Sequence, residues 1–488
     1  MRTIYLLLLM LSVTGKGLAQ HEHHQPAKKQ PAKKAATRPA ATQKKATPSV
    51  GQKAKPAPNQ HQDTTQNHAD HTNHVADTQG HTVHGGHDMS NMSHAYSLNL
   101  PMTRNGSGTG WLPDESPMFG YMMHSRKWMY MIHGNIFLRY NSQDVTNKGT
   151  RGDSRFDIPN MVMLMGQRKV GRNGLFHFST MVSFDNLVTG GWGYPLLFQS
   201  GETYEGKPLV DRQHPHDLFS ELSVSYSHAF SHDLDAFIYL AYPGEPAIGP
   251  VTFMHRPSGW DNPDAPLSHH WIDATHITFG VATLGLRYKR FKLEGSSFTG
   301  REPDENRYNF DKPLFDSRSA RLSFNPSRHW ALQVSHAFIK SPEVLHAHDV
   351  YRTTASATYA LRLANGALLN ATGLWGMNKV KNHDGEHAVL LEASLRKKRI
   401  VGYTRYELVQ KSAEELNLDE DEFGHDRLFP VNAITLGAAY DILRINPVRT
   451  SIGAQLTLYS APATLDVLYG RRPLAAEVYL RLYPEQMK

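Results

Sequence analysis

Strict alternation of apolar and polar residues over long segments constrains this chain most, because successive side chains of a strand point to opposite faces. Over residues 175–184, Phe176, Phe178, Thr180, Val182 and Phe184 oppose His177, Ser179, Met181, Ser183 and Asp185. Leu222, Val224 and Tyr226 are set against Glu221, Ser223, Ser225 and Ser227 in the same way. Near the end, Ile452, Ala454, Leu456 and Leu458 alternate with Gly453, Gln455, Thr457 and Tyr459, and Val478, Leu480 and Leu482 with Glu477, Tyr479, Arg481 and Tyr483. About fourteen to sixteen such segments fall between Trp128 and Tyr483, most of about nine to fourteen residues. Turn signals such as Gly171-Arg172-Asn173-Gly174, Asn325-Pro326-Ser327 and Ala364-Asn365-Gly366 separate them. Strands of soluble domains cluster near five or six residues, whereas strands crossing a bilayer need about nine to eleven. Length therefore favours one closed cylinder over soluble sandwiches in series. Tight connections alternating with long ones, as at residues 188–214 and 243–273, point the same way. The expected fold is all-β, a transmembrane antiparallel β-barrel of about 14–16 strands, preceded by a disordered His/Lys/Pro-rich leader. The chain departs from many such barrels in not ending on an aromatic residue: Pro484-Glu485-Gln486-Met487-Lys488 follows Tyr483.

The start of the chain reads as export machinery. Arg2 supplies a positive n-region, Ile4 to Val13 an apolar stretch, and Gly17-Leu18-Ala19 a small-residue cleavage site, so residues 1–19 are expected to be a signal peptide. That apolar stretch is too short to span a bilayer, and a mean hydropathy of −0.49 excludes a helical-bundle membrane protein. The 488-residue chain has no cysteine, which excludes disulfide scaffolds and thiolate zinc sites. Its formal charge of +7 suggests nucleic acid only until it is divided along the chain. Residues 20–97 carry nine basic groups against five acidic ones, and everything after carries 41 against 40. The expected barrel, residues 98–488, is thus nearly neutral, which argues against a nucleic-acid partner.

Residues 20–97 have almost no large apolar side chain and are expected to stay disordered, since they cannot bury enough surface to offset their ordering entropy. Within them His68, His71, His74, His81, His84, His87 and His94 recur at short intervals, with Met89 and Met92 among them. Imidazole and thioether together suit loose chelation of a soft or borderline cation, copper above all. The alternative is a polar linker that happens to be rich in histidine.

Nine methionines fall between Met118 and Met181. In Trp128-Met129-Tyr130-Met131-Ile132-His133-Gly134-Asn135, the face with Trp128, Tyr130 and Ile132 suits lipid, and Met129, Met131, His133 and Asn135 would face the lumen. His177 and Met181 share the polar face of a later strand, with Met161, Met163 and Met165 between the two. If that middle strand also turns its sulfurs inward, three neighbouring strands make one soft-ligand wall. Same-face residues on one strand lie about 7 Å apart and lateral neighbours about 5 Å, so an ion would be held across strands. The competing reading is methionine as gap filler.

Three further motifs concentrate histidine: Asp211-Arg212-Gln213-His214-Pro215-His216-Asp217, Met254-His255-Arg256-Pro257, and Ser268-His269-His270-Trp271-Ile272-Asp273-Ala274-Thr275-His276 before a strand holding Ile277, Phe279 and Val281. His214, His216, His269, His270 and His276 beside Asp217 and Asp273 make either a metal site or a hydrogen-bonded network tying a loop to the wall. Arg301-Glu302-Pro303-Asp304-Glu305-Asn306 reads as a charged constriction or a loop brace.

Asn99-Leu100-Pro101-Met102, Asp211 to Asp217, Tyr242-Pro243-Gly244-Glu245-Pro246, Met254 to Pro257, His269-His270-Trp271 and Gly300 to Glu305 resemble stretches of a poorly characterised group of bacterial outer-membrane barrels, over about residues 95–345. In organisation, a histidine- and methionine-bearing leader ahead of a barrel, the chain is similar to outer-membrane copper-resistance proteins of the B type, which implies copper handling. The function expected is binding, sequestering or exporting a soft or borderline metal ion, copper first. The setting is the bacterial outer membrane with the leader in the periplasm; the partners are outer-membrane lipid, metal ions and periplasmic metal-efflux components. One rival is a general porin or nutrient channel. The other, an outer-membrane hydrolase built on the histidine-rich loops, lacks a serine nucleophile at a recognisable elbow, so the chain is read as non-enzymatic.

Overall fold

The computed structural model describes residues 96–487 apart from 147, 345–346 and 425–426. The expected signal peptide, residues 1–19, and the histidines and methionines of the expected leader, His68 to His94, lie outside the described residues.

Sixteen antiparallel strands close into a barrel. They are β1 (Trp128–Ser142), β2 (Asn160–Val170), β3 (Gly174–Val182), β4 (Phe219–Ala229), β5 (Leu234–Ala241), β6 (Val281–Tyr288), β7 (Phe291–Phe298), β8 (Ser317–Ser327), β9 (Trp330–Ile339), β10 (Val350–Arg362), β11 (Leu368–Val380), β12 (Gly385–Lys397), β13 (Ile400–Ser412), β14 (Leu428–Ile445), β15 (Val448–Ser460) and β16 (Leu474–Pro484). Each pairs with its neighbour in sequence. The cylinder closes where β16 pairs with β1, from Ile136↔Leu482 to Ser142↔Ala476. Two short strands extend β1's pairing: Tyr121–Ser125 forms a hairpin with its beginning, and Ser154–Asp157 pairs with its far end. Strand length runs from 8 residues in β5 to 18 in β14.

Parity sorts the faces. Leu284 and Leu436 point outward at 66 % and 61 % exposed, while their neighbours Thr283 and Thr435 point inward at 0 % and 6 %. Leu138, Leu164, Val224, Leu240, Leu286, Leu293, Leu391, Ile452, Leu456 and Val478 are likewise exposed. An apolar belt around a polar interior is stable only in lipid, and strand closure leaves no unpaired edge. The protein is an outer-membrane β-barrel.

Connections at one end, at 171–173, 230–233, 289–290, 328–329, 363–367, 398–399 and 446–447, are two to five residues long. Those at the other end are long, residues 381–384 excepted, which makes the short-turn rim periplasmic. The two longest connections are residues 183–218 and 242–280, a little wider than the alternation alone delimits.

The interior is filled from both ends. Ahead of the first strand, residues 96–119 form a strap at the periplasmic mouth. Asn99 donates to the Ser231 carbonyl, Asn325 to that of Leu112, and the Glu115 N–H to that of Arg328, all at turn rims. Connection 242–280 folds inward from the opposite end. Buried charge pairs tie it to the wall: Arg256 to Glu392 at 2.8 Å, Asp261 to Arg396 at 2.5 Å, and Asp264 to Arg139 at 2.5 Å. Ser268 donates to Glu407 at 3.0 Å, and Trp271, fully buried, lies under the Lys411 ammonium. Buried ions need partners, and here Glu392, Arg396 and Arg139 each meet an opposite charge on the inserted loop.

Candidate functional site

The methionines of the wall point inward. Across β1 and β2, Met131 faces Met165, His133 faces Met163, and Asn135 faces Met161; across β2 and β3, Met163 faces Met181. Met129, Met131, Met161, Met163, Met165 and Met181 are all buried, in one cluster with Met102, Phe119, Trp260 and Tyr483. The middle strand therefore shares the phase of its neighbours. His177 lies on the same inner face but packs edge-on against Tyr96 of the strap, ring centres 5.4 Å apart, rather than in the cluster.

Between strap, wall and inserted loop lies a cavity of about 70 Å³, lined by Met102, Met118, Met131, Met163, Met165, His133 and His255, with Trp260 and Phe119. Trp260 stacks on His133 at 4.8 Å, and His255 on the other imidazole at 5.4 Å. The Nδ1–H of His133 donates to the Phe119 carbonyl at 2.6 Å. That bond fixes the tautomer that leaves Nε2 a lone pair, and Nε2 has no partner among the described residues. Burial, with the charge of His133 added, lowers His255 to about 3. It stays neutral and keeps a lone pair available in any ordinary medium.

The loop histidines also assemble, nearer the long-loop end. His276, His216, His214, His270 and His269 form a closed circuit in which successive ring centres are 5.5, 5.9, 5.9, 5.3 and 5.0 Å apart. His216 Nδ1 lies 2.7 Å from Asp185, His269 Nδ1 2.6 Å from the Asp273 carboxylate, and His276 Nδ1 3.0 Å from the Asp273 carbonyl. His214 Nδ1 is 3.2 Å from Glu202. Burial lowers His269, His276 and His214, the last with help from Arg307; burial and the Lys411 charge take His270 to about 3. Burial would raise Asp273, but His269 and Arg256 outweigh it and hold its carboxyl below the ordinary range. Gly201 lets the chain pass flat against His270, where a Cβ would lie 2.3 Å from the ring. Among the described residues, no group of three or more His, Asp and Glu side chains stands as a finished metal site.

One expectation needs correcting, and one pair of alternatives is narrowed to its second member. The strand expected to hold Ile277 and Phe279 starts later: His276 ends a 3-10 turn, Ala274–His276, Thr278 makes only an isolated bridge to Gly244, and the strand begins at Val281 after Gly280 at φ 102°. Residues 301–306 are a brace, with the Glu305 carboxylate accepting the backbone N–H groups of Glu205 and Gly206 and Glu302 standing 3.6 Å from His270. Sequence reasoning passed over Met102, Met118 and His255 as site residues, and Asp185 as the support of His216. Met102 and His255 stood in motifs that drew attention and Met118 opened the methionine-rich stretch, but nothing in the sequence couples them to His133.

No family model and no curated protein matches this chain. Solved structures do. A loop-deletion mutant of OmpT, an outer membrane protein of Vibrio cholerae, is 8 % identical, with a TM-score of 0.44 over 73 % of this chain and 100 % of that one. An anion-selective porin from Comamonas acidovorans is 12 % identical, with 0.45 over 73 % and 99 %. Salmonella typhi OmpF, in complex with daunomycin, is 10 % identical, with 0.45 over 75 % and 100 %.

Proposed function

We propose that this outer-membrane barrel handles a soft metal ion, copper(I) first, and that the methionine-imidazole cavity is where the ion is held. One observation carries the reading: four thioether-bearing strands and strap positions meet an imidazole whose Nε2 is buried and unpartnered. Met131, Met163, Met165 and Met102 supply sulfur, and His133 supplies nitrogen already oriented by the Phe119 carbonyl. Soft thioethers select copper(I), and imidazole accepts it in either oxidation state. Ligating histidines characteristically spend their second nitrogen on such a hydrogen bond. The leader histidines and methionines, His68 to His94, would collect the ion in the periplasm, with efflux components as its source. The protein binds and passes its cargo rather than transforming it.

A competition titration of copper(I) against a chelator tests this on the full chain. Joint substitution of Met131→Leu and Met163→Leu removes one tight equivalent if the cavity holds the ion; unchanged stoichiometry and affinity defeat the reading. A general porin is the second reading, favoured by the strand number, since barrels of sixteen strands can enclose an aqueous channel. It would give liposome conductance to small solutes that is indifferent to copper and to both substitutions.

A further inference from the structure

The imidazole circuit differs from the methionine cavity in chemistry. It has no sulfur, and its members come from two loops rather than from strands. His216, His269, His270 and His276 are 7 %, 1 %, 3 % and 5 % exposed, and the Nε2 of each has no partner among the described residues. A buried polar atom left without a partner is costly, and four such atoms on adjoining rings are not explained by packing. In three of the rings the other nitrogen is already engaged, by Asp185, by the Asp273 carboxylate and by the Asp273 carbonyl.

We infer that His216, His269 and His276, with His270 completing the set, bind a borderline divalent transition-metal ion such as Zn²⁺ or Cu²⁺ through Nε2, at a second site independent of the methionine cavity. As they stand, no group of three or more His, Asp and Glu side chains among the described residues is placed to hold a metal ion, so binding requires the rings to draw together. Two imidazoles on one tetrahedral ion, bonded at about 2.0–2.1 Å, have ring centres about 5 Å apart. Here neighbouring centres are 5.0, 5.3 and 5.5 Å apart. Asp185 and Asp273 act as positioning residues that hold each ring in the tautomer with its lone pair on Nε2. An acidic pocket of about 30 Å³, lined by Glu202, Glu302, Glu343, Glu414 and Glu415, adjoins His270 and opens among the long loops. On this reading the acidic pocket is the side from which a cation would approach the circuit.

The test uses the full chain in detergent, with Zn²⁺ as the probe and the thermal unfolding midpoint of the barrel as the readout. Leader histidines that bind Zn²⁺ without ordering the barrel do not move that midpoint. Zn²⁺ is expected to raise it in the unaltered protein and in His133→Gln, and not in His269→Gln/His276→Gln. Asp185→Asn, which keeps the shape but weakens the support of His216, should require about 10- to 100-fold more Zn²⁺ for the same rise. Co²⁺ gives a second view that needs no variant: the intense visible absorption of a four-coordinate ion, displaced by Zn²⁺. A midpoint that Zn²⁺ leaves unmoved in the unaltered protein, an equal rise in the double variant, or only the weak absorption of six-coordinate Co²⁺ overturns the proposal. None of these outcomes touches copper(I) binding by the methionine cavity, which His269→Gln/His276→Gln leaves intact, so the two readings stand or fall separately.

Discussion

The two donor clusters of the lumen are built in opposite ways. The methionine cavity is a wall: Met131, Met163 and Met165 belong to paired strands, and each position is set by register. The imidazole circuit is a knot of loops, and its members are placed by buried charge. Asp273 holds His269 and the backbone of Phe253, and it meets Arg256, which reaches Glu392 on β12. A wall of thioethers tolerates exchange of one unbranched or γ-branched side chain for another. A network of paired charges does not, because removing one member leaves the rest buried without a counterion.

The sharpest way to break that contrast is Arg256→Leu. It removes the guanidinium that Asp273 has beside His269 and Glu392 has beside Arg405, and should cost about 3–5 kcal/mol of barrel stability, read from urea unfolding in detergent. A loss under about 1 kcal/mol would mean that the loop is not held by charge. Met131→Leu and Met163→Leu should behave in the reverse sense. Each is expected to change stability by less than about 1.5 kcal/mol, while together they weaken copper(I) binding about tenfold or more, equivalent to about 1.4 kcal/mol or more.

Acidity sharpens the comparison next. His255 in the cavity and His270 in the circuit both titrate near 3 instead of 6.5. Between those values the unfolded chain binds protons that the folded one refuses, so both histidines withdraw stability as pH falls through that window and have no effect above it. Glu302, moved from 4.5 to about 7, works oppositely between those two values, because there the folded chain holds the extra proton. With two histidines against one carboxyl, the net loss should begin below about pH 6.5 and steepen between pH 4.5 and 3, and His270→Gln should flatten it, as followed by unfolding at stepped pH. The smallest effect belongs to a pair outside both clusters. Lys340 and Asp349 meet at 2.9 Å but are half exposed, and Lys340→Ala should shift stability by less than about 1 kcal/mol.

Much of the wall was legible in advance. Alternation in 128–135 and 175–184 assigned Met129, Met131, His133 and Met181 to the interior, because a strand admits only two faces and lipid accepts only one of them. The phase of Met161, Met163 and Met165 could not be read in the same way, since Val162 and Leu164 are as apolar as their neighbours; pairing of Met163 with both His133 and Met181 settled it. The loops carried less. His214 and His216 could be flagged by density alone, but Asp185 lies at the end of β3 and met His216 only through the fold of residues 183–218. The strand after His276 was started too early, because Ile277 and Phe279 imitate its alternation while the strand begins at Val281.

What the sequence determined by itself is the cylinder: long alternating segments and short turns leave closure in a membrane as the one way to satisfy every backbone group and hide the oily face. Tertiary structure alone decided what fills it. The strap of residues 96–119, the inward course of 242–280, the stacking of His255 on His133 and the circuit of five imidazoles join positions far apart in the chain. Local periodicity fixes which way a side chain points, whereas the partner it meets across a lumen depends on how loops are drawn in by buried charges. That information exists only once the barrel has closed.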